Sequence, residues 1–302
     1  MVKIKGPFKL NGSIAGISFY TMRGSDKVIM RTKGGASKEK IKNLPQFAGL
    51  RKQQKEWSGC TQFGSLARYS FGGLHRVADI NLTPELNRIG KRLAKLDTVS
   101  PVGQRSIKLS EYKEFLEGFD FNKDYPINTV LRVLPRWEID RDQLKGVVTF
   151  PRINTDINLL NIQKLPFFRL VIAIGTVSDI IYDPDKEAYF PLVSEVHGYS
   201  STLTGEWNSA KTILPEQTMT VQMEEQVSHM TDNVTVLLTM AVEFGNIGDT
   251  KLPVEVKYAG CGKVIGVKWL RKEIVHRFHE EIKKEIVHRL HRFTQIFFNV
   301  RN

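Results

Sequence analysis

Alternating apolar and polar residues, separated by turn residues, dominate the stretch from about residue 125 to residue 267. Met219, Val221 and Met223, for example, alternate with polar neighbours, and a period of two is typical of a strand with one buried face. Turn-forming clusters such as Asp183-Pro184-Asp185 separate these runs. Because no amphipathic helix intervenes, the pattern predicts an antiparallel β-sandwich and argues against a βαβ fold.

Seven strands are predicted in this part of the chain. They are Thr129–Leu134, Gly146–Phe150, Phe167–Ile174, Glu187–Val193, Thr218–Val227, Asn233–Phe244 and Pro253–Gly266. The longest apolar run is interrupted by Arg169 and is far shorter than the roughly 20 residues of a membrane helix. We therefore expect no membrane association.

The N-terminal part has a different pattern. Alternation in 17–21 and in 28–30 predicts a β-hairpin, with Gly24-Ser25-Asp26 as its turn. Helices are expected from about Pro45 to Ser58, from Thr83-Pro84 onward with Leu86, Ile89, Leu93 and Leu96 buried, and from Glu111 to Glu117 after a Ser110 cap.

The C-terminal tail contains a hexapeptide, residues 272–277, that recurs as residues 284–289. This repeat predicts a partly helical tail, but it is equally explained by translation of a tandem DNA repeat. The sequence thus predicts an α+β, mainly β fold in three parts. These are a basic hairpin-plus-helices region (1–120), an antiparallel β-sandwich (121–267) and a repeat-containing, partly helical tail (268–302).

Charge is distributed unevenly along the chain, whose net charge is +12. Residues 1–110 contain 21 lysines and arginines against 6 acidic residues, whereas residues 111–267 contain 14 against 22. Segments of opposite sign are typical of a polyanion-binding end, or of subunits that attract one another head to tail.

Ten cations of the N-terminal part are the candidate binding residues for a polyanion or an acidic partner. They are Lys38, Lys40, Lys42, Arg51, Lys52, Lys55, Arg88, Lys91, Arg92 and Lys95. The last four share one face of a predicted helix, and such a surface would hold phosphates through counterion release with little sequence preference. The structural alternative is an ordinary solvated helix face.

Signatures of nucleotide binding and of nucleophilic or zinc catalysis are missing from the sequence. We therefore expect no cofactor and no enzymatic activity. The function predicted first is a structural protein that forms a homo-oligomer or other protein assembly through its basic N-terminal region and its acidic β domain. The alternative is sequence-nonspecific nucleic-acid binding. A second alternative is a carbohydrate-active or hydrolytic β domain, with Tyr189, Tyr199 and Trp207 lining a sugar groove.

Two groupings of metal-ligand residues are present, and we prefer a structural explanation for both. Asp183, Asp185 and Glu187 offer oxygen ligands, but the intervening residues are ordinary turn formers. His276 and His279 have the i, i+3 spacing of a helical metal site, yet they belong to the repeat. Two cysteines and no signal peptide favour a cytoplasmic location.

Several short sequence segments resemble those of an uncharacterised protein family of Bacteroidota. They include the segment Gly12 to Tyr20, then Arg23 to Lys27, Lys33-Gly34-Gly35, and the later Ala241 to Gly245 and Val256 to Gly260. The resemblance covers roughly residues 6–267 and leaves the tail outside. It implies no substrate and no catalytic residues, because the family has no established activity.

Overall fold

The computed structural model describes residues 2–4, 11–21, 27–32, 34–78 and 82–269. The chain divides into two compact units, residues 1–53 and residues 54–302. The predicted turn at 24–26 lies outside the described residues, as do the repeat tail from residue 270 onward and both candidate histidines, His276 and His279. Within the described part, the predicted α+β, mainly β fold is confirmed.

The first unit contains an antiparallel sheet of strand order β1-β4-β3-β2. Its strands are β1 (Val2–Ile4), β2 (Gly12–Ile14), β3 (Ile17–Thr21) and β4 (Val28–Thr32). The pairing of β3 with β4 confirms the predicted hairpin. The sequence analysis missed β2, which a two-residue turn joins to β3. Ala15 and Gly16 in that turn both have positive φ, the geometry that matches the twist of paired strands.

Helix α1 (Lys38–Asn43) follows this sheet. The Ser37 side chain accepts a hydrogen bond from the Lys40 backbone N–H and caps the helix start. At the other end, Arg51 donates to the carbonyls of Ile41 and Leu44. The exposed final carbonyls of α1 are therefore satisfied by a cation from the next helix.

The remaining helices and strands follow from residue 48. They are α2 (Ala48–Tyr69), α3 (Thr83–Leu96), α4 (Ile127–Val130), β5 (Arg136–Asp140), β6 (Lys145–Phe150), β7 (Ile153–Asn154), α5 (Thr155–Asn158), β8 (Phe167–Ser178), β9 (Ile180–Asp183), β10 (Ala188–Pro191), β11 (Ser200–Thr204), β12 (Asn208–Ser209), β13 (Ile213–Leu214), β14 (Gln217–Gln222), β15 (Val234–Ile247), β16 (Pro253–Glu255) and β17 (Cys261–Lys268). Short 3₁₀ turns lie at Pro45–Phe47, Leu74–Val77, Leu109–Glu111, Lys113–Phe115 and Val227–His229.

The second unit is built around the central pair β8 and β15, which align over twelve residue pairs. β11 and β12 pair with the outer side of β8, and β16 and β17 pair with the outer side of β15. A second sheet of order β14-β6-β5 packs on one face. Alternate residues of β8 serve the two faces: Leu170 and Ile172 contact this second sheet, whereas Val171 and Ala173 face the helices. The predicted sandwich therefore carries helices on its outer face.

Residues 54–120 share one core with the strands that follow them. Phe63, Leu86 and Leu109 belong to the same buried cluster as Val171 and Leu237. For this reason the division between compact units falls after residue 53, whereas the sequence placed a domain boundary at residue 120.

Small residues allow α2 and α3 to approach each other closely. A Cβ on Gly64 would lie 2.0 Å from the Asn87 side-chain oxygen, and a Cβ on Gly90 would lie 3.2 Å from the Cys60 backbone. The helix predicted at 45–58 is confirmed, but it continues to Tyr69. Of the four apolar residues predicted to be buried in α3, only Leu96 is largely exposed, because the helix ends there.

Two predicted elements are wrong, and a third, the strand predicted at 253–266, is divided by a turn into β16 and β17. Residues 129–134 form the end of α4 and a single bridge at Leu131 instead of a strand. The helix predicted at 111–117 is replaced by two 3₁₀ turns, because Ser110 is buried and donates its N–H and hydroxyl to Asp179 instead of capping a helix.

The outer edge of β17 is covered by the segment 118–121. Gly118 and Phe121 donate their N–H groups to the carbonyls of Val264 and Gly262, and Val264 donates to the Phe119 carbonyl. This segment therefore acts as an additional strand on an edge that would otherwise be free. Within the described residues, no helix combines the length and apolar character required to cross a membrane.

Candidate interaction surfaces

The positive charge is concentrated in the first compact unit. Residues 1–53 contain 12 lysines and arginines and only 2 acidic residues. Residues 54–269 contain 24 against 26 and are nearly neutral. We call residues 1–53 the basic unit, because it holds most of the imbalance seen in the sequence.

Four of the ten predicted cations are exposed residues of the basic unit. Lys38, Lys40, Lys42 and Lys52 are all exposed. Glu39 is the acidic neighbour on α1, and none of the four lysines has an ion-pair partner among the described residues. Arg51, by contrast, is used internally to cap α1.

The remaining cations lie in the second unit, where most have a local partner. Lys55 pairs with Glu187 at 3.3 Å, and Arg88 pairs with Glu85 on its own helix. The Arg92 guanidinium lies 5.9 Å from the centre of the Phe115 ring. Lys91 pairs with a fully buried carboxylate, that of Glu56.

Lys95 is exposed and has no ion-pair partner among the described residues. On the predicted cationic face of α3, Lys95 is thus the residue that the observed contacts leave free for a partner.

A cleft of about 490 Å³ lies beside this helix face. Arg88 and Arg92 line it together with Phe115, Phe119 and three acidic side chains. Glu85, one of those acids, already binds both Arg88 and Lys123. The charges that line the cleft therefore largely compensate one another.

One face of the sheet in the basic unit is apolar. The register places Phe19 opposite Met30 and Ile14 opposite Ile17, and directly opposed residues project to the same face. Ile14 is 74% exposed, and Ile17, Phe19 and Met30 are each half-buried. We call these four residues the apolar sheet face. Val28, which the register places on the same face, is already buried. A sheet of this size normally buries such a face against another layer.

Three segments of the second unit meet to form an acidic surface. The turn after β5 and the segment after β14 are joined by a hydrogen bond from the Met223 N–H to the Leu144 carbonyl. Arg141 donates to the carbonyls of Thr231 and Val234, which brings in a third loop. The exposed acids of these segments are Asp140, Asp142, Glu224, Glu225 and Asp232.

We call these five acids the acidic end. Most of its charge is uncompensated: among the described residues, the one ion pair of these acids joins Arg141 to Asp142 at 4.0 Å, and that arginine is itself buried. Lys145 also faces this region, across from Asp140. Val227 and Met230, both half-buried, lie in the same segments and contact the core below. The sequence analysis missed this surface, because the sequence indicated it only through a local excess of acidic residues.

Other acids of the second unit are mostly engaged. Glu243 is fully buried and binds Arg76 and Arg169, and Arg169 also stacks on the Trp207 ring at 4.3 Å. Glu255 joins the same two arginines, and burial together with the Glu243 charge raises its pKa. A salt-bridge network of this kind fixes the end of the sheet and leaves no charge for a partner.

The aromatic residues considered for a sugar groove have packing roles. Tyr189 is buried against α2, where a Cβ on Gly59 would lie 2.6 Å from its ring. Trp207 packs on Gly245 and on the Arg169 guanidinium. Tyr199 is exposed.

The oxygen ligands considered for a cation form the turn between β9 and β10. The Asp183 carboxylate accepts the N–H groups of Asp185 and Lys186, and it pairs with the Lys186 ammonium at 3.5 Å. Glu187 is held by Lys55. Among the described residues, no group of three or more histidine, cysteine or acidic side chains is placed to hold a metal ion.

Comparisons of the chain with protein-family models, with curated proteins and with solved structures give no match. The architecture itself defines a class: a sandwich of two antiparallel sheets with helices on one outer face, preceded by a separate basic unit.

Proposed function

We propose that this chain is a non-enzymatic structural protein that assembles with copies of itself, its basic unit binding an acidic surface of a neighbouring second unit. The observation that supports this proposal most strongly is the charge separation between the two compact units. Unbalanced cations on one unit and an uncompensated acidic surface on the other favour association between copies.

The state of the individual side chains supports the same proposal. The charged groups in the core of the second unit are used in its own ion pairs, for example Glu56 with Lys91 and Glu243 with Arg169. The lysines of the basic unit have no such partner among the described residues. Groups that the fold does not use are the ones available for a partner.

A second candidate function is sequence-nonspecific binding of nucleic acid by the same lysines. Four exposed ammonium groups within residues 38–52 would suit a phosphate backbone. We favour assembly because the chain itself offers an acidic surface. We also propose a cytoplasmic location, since Cys60 and Cys261 are both free thiols.

The experiment compares self-association of the full chain at low and high salt by size-exclusion chromatography with light scattering. We expect association at about 50 mM salt and dissociation at about 500 mM, because salt screens exposed charges. The combined variant Lys38→Glu, Lys40→Glu and Lys42→Glu should be monomeric at both salt concentrations. A matched control, Lys164→Glu, Lys211→Glu and Lys251→Glu, makes the same change in net charge at exposed positions of the second unit and should behave as wild type.

A wild-type chain that remains monomeric at low salt would overturn the assembly proposal. In that case a gel-shift assay with duplex and single-stranded DNA decides the second candidate. Salt-sensitive retardation that the Lys38, Lys40 and Lys42 variant loses, and the control retains, would establish nucleic-acid binding in place of assembly.

A further inference from the structure

We infer that the apolar sheet face of the basic unit docks on the acidic end of a second copy, so that copies join head to tail. This inference rests on the proposed function and specifies the two surfaces that form the contact. It follows from three properties of the described residues: exposure, free charge and the arrangement of apolar atoms inside a charged rim.

The first property is the exposure of the sheet face. Ile14 is 74% exposed, and its neighbours across the strands, Ile17 and Phe19, are only half-buried. Small antiparallel sheets are stable when one face is covered by a further layer. The described residues of the basic unit leave Ile14 largely uncovered, so a partner layer would complete the arrangement.

The second property is free charge on both sides of the contact. The basic unit has an excess of ten cations. Lys38, Lys40 and Lys42, which follow its sheet in the chain, are exposed. On the other side, Glu224 and Glu225 are exposed and have no ion-pair partner among the described residues. Other acids of the second unit, such as Glu117 and Glu216, already pair with a cation. Single acids elsewhere, such as Glu206 and Asp249, are also exposed, but the acidic end brings five exposed acids together and is for this reason the complementary surface.

The third property is the apolar centre of the acidic end. Val227 and Met230 are half-buried and lie between Glu225 and Asp232 in the chain. Apolar atoms surrounded by charged groups are the usual anatomy of a protein–protein contact, in which the centre excludes water and the rim carries the charges. Ile14, Ile17 and Phe19 would supply the matching apolar centre, and the lysines of α1, which follows the sheet in the chain, would supply the opposite charge.

The contact is heterologous, because the two surfaces belong to different units of the chain. Each copy would use its basic unit toward one neighbour and its acidic end toward another. This geometry makes a specific prediction. One variant has the charge of its basic unit reversed, the other has the charge of its acidic end reversed, and neither should associate alone. The two variants should associate with one another, because each reversed surface then faces a surface of opposite charge.

The test mixes two full-length variants and measures their mass by light scattering. One carries Lys38→Glu, Lys40→Glu and Lys42→Glu; the other carries Glu224→Lys and Glu225→Lys. Each alone is expected to be monomeric at about 50 mM salt, and an equimolar mixture is expected to associate. The matched control for the acidic end is Glu206→Lys with Asp249→Lys, two exposed acids elsewhere on the second unit, and it should associate as wild type does.

The apolar centre is tested separately with Ile14→Asp. Because Ile14 is mostly exposed, the variant is expected to fold, and its self-association should weaken at least about tenfold. Val99→Asp, at a residue of the second unit that is 95% exposed, is the control and should leave association unchanged. Wild-type association by Ile14→Asp would overturn the inference.

The outcomes separate the inference from the proposed function. If the Glu224 and Glu225 variant associates as wild type while the lysine variant does not, the basic unit binds another surface; the inference falls and the proposed function stands. If the lysine variant also associates as wild type, both fall. A wild-type monomer at every concentration would mean that no second copy is bound, and it would also overturn both.

Discussion

The Lys91 ammonium lies 2.5 Å from Oε1 of Glu56, a carboxylate with no exposed surface. The other carboxylate oxygen of Glu56 accepts the Gly103 N–H at 3.0 Å. The two residues join α2 to α3 on the helical side of the core. A cation that the sequence assigned to a partner-binding face is thus required by the fold itself.

Replacing Lys91 with methionine should therefore destabilise the protein. The variant leaves the Glu56 charge buried without its partner, and breaking such a pair lowers the free energy of unfolding by roughly 3 kcal/mol. Chemical denaturation with urea measures the change. Lys95→Met, an exposed position on the same helix, is the matched control and should change stability by less than about 0.5 kcal/mol. Equal stability of the two variants would contradict the structural role of the pair.

Asp179 should make a pH-dependent contribution to stability. Burial raises the pKa of its carboxyl to about 6, above the value of about 3.9 in an unfolded chain. The folded state therefore binds this proton more tightly, and the contribution of Asp179 to stability falls as the pH rises through that interval.

The variant Asp179→Asn removes this effect. It should raise the free energy of unfolding by roughly 2 kcal/mol at pH 7.5 and change it little near pH 4. Urea denaturation at several pH values gives the difference between variant and wild type, and Asp185→Asn, at an exposed turn position, serves as the control. A difference that does not vary with pH would be inconsistent with a raised pKa at Asp179.

His197 should have the opposite pH dependence. Its Nδ1 accepts the Ser178 N–H at 2.9 Å, and burial lowers the pKa of the imidazole to about 4. The unfolded state, with a pKa of about 6.5, binds more protons between these values, so the contribution of His197 is lost as the pH falls from 6.5 through 4.

In His197→Asn the side-chain oxygen can still accept the Ser178 N–H, but the group no longer titrates. The loss of stability between pH 7 and pH 4 should therefore be smaller than in wild type by roughly 2 kcal/mol. His229→Asn, on the surface, should retain the wild-type dependence. An unchanged slope in His197→Asn would exclude burial of a neutral imidazole.

Gly175 is expected to tolerate no side chain. A Cβ there would lie 2.0 Å from the backbone carbonyl oxygen of Ser70, where the end of α2 meets the central sheet. Gly175→Ala should lower stability by more than about 3 kcal/mol or prevent folding. The added Cβ is fixed to the backbone of Gly175 and meets a backbone oxygen, so neither atom can rotate away. In Gly49→Ala, where nothing lies within 4 Å, the helix should instead gain up to about 1 kcal/mol. Thermal unfolding distinguishes the two.

The sequence predicted elements whose signal is local. Alternation identified β6 and the β3–β4 hairpin correctly, and the apolar spacing of α3 identified three of its buried residues. It also located β14, although the predicted strand ran to Val227 and β14 ends at Gln222. The ends of β8 and β15 were placed too early, because both faces of these strands are buried and the apolar run therefore does not alternate. The strand predicted at 129–134 is instead part of a short helix, which long-range contacts select over local preference.

The candidate surfaces were only partly predictable. A charge count placed the excess of cations in residues 1–110, whereas most of it belongs to the shorter basic unit, residues 1–53. It did not reveal that Lys91 pairs with Glu56, since these residues lie 35 positions apart. The acidic end consists of three separate segments, and only the β6–β14 pairing and the contacts of Arg141 bring them together.

The segment 118–121 determines where a further strand can add to the central sheet of the second unit. Because its backbone already bonds to Gly262 and Val264 of β17, an incoming extended peptide finds no open ladder along this stretch of the central sheet. Recruitment of foreign strands, which is the usual first step toward fibrous aggregates, is therefore blocked there by four residues of the chain itself.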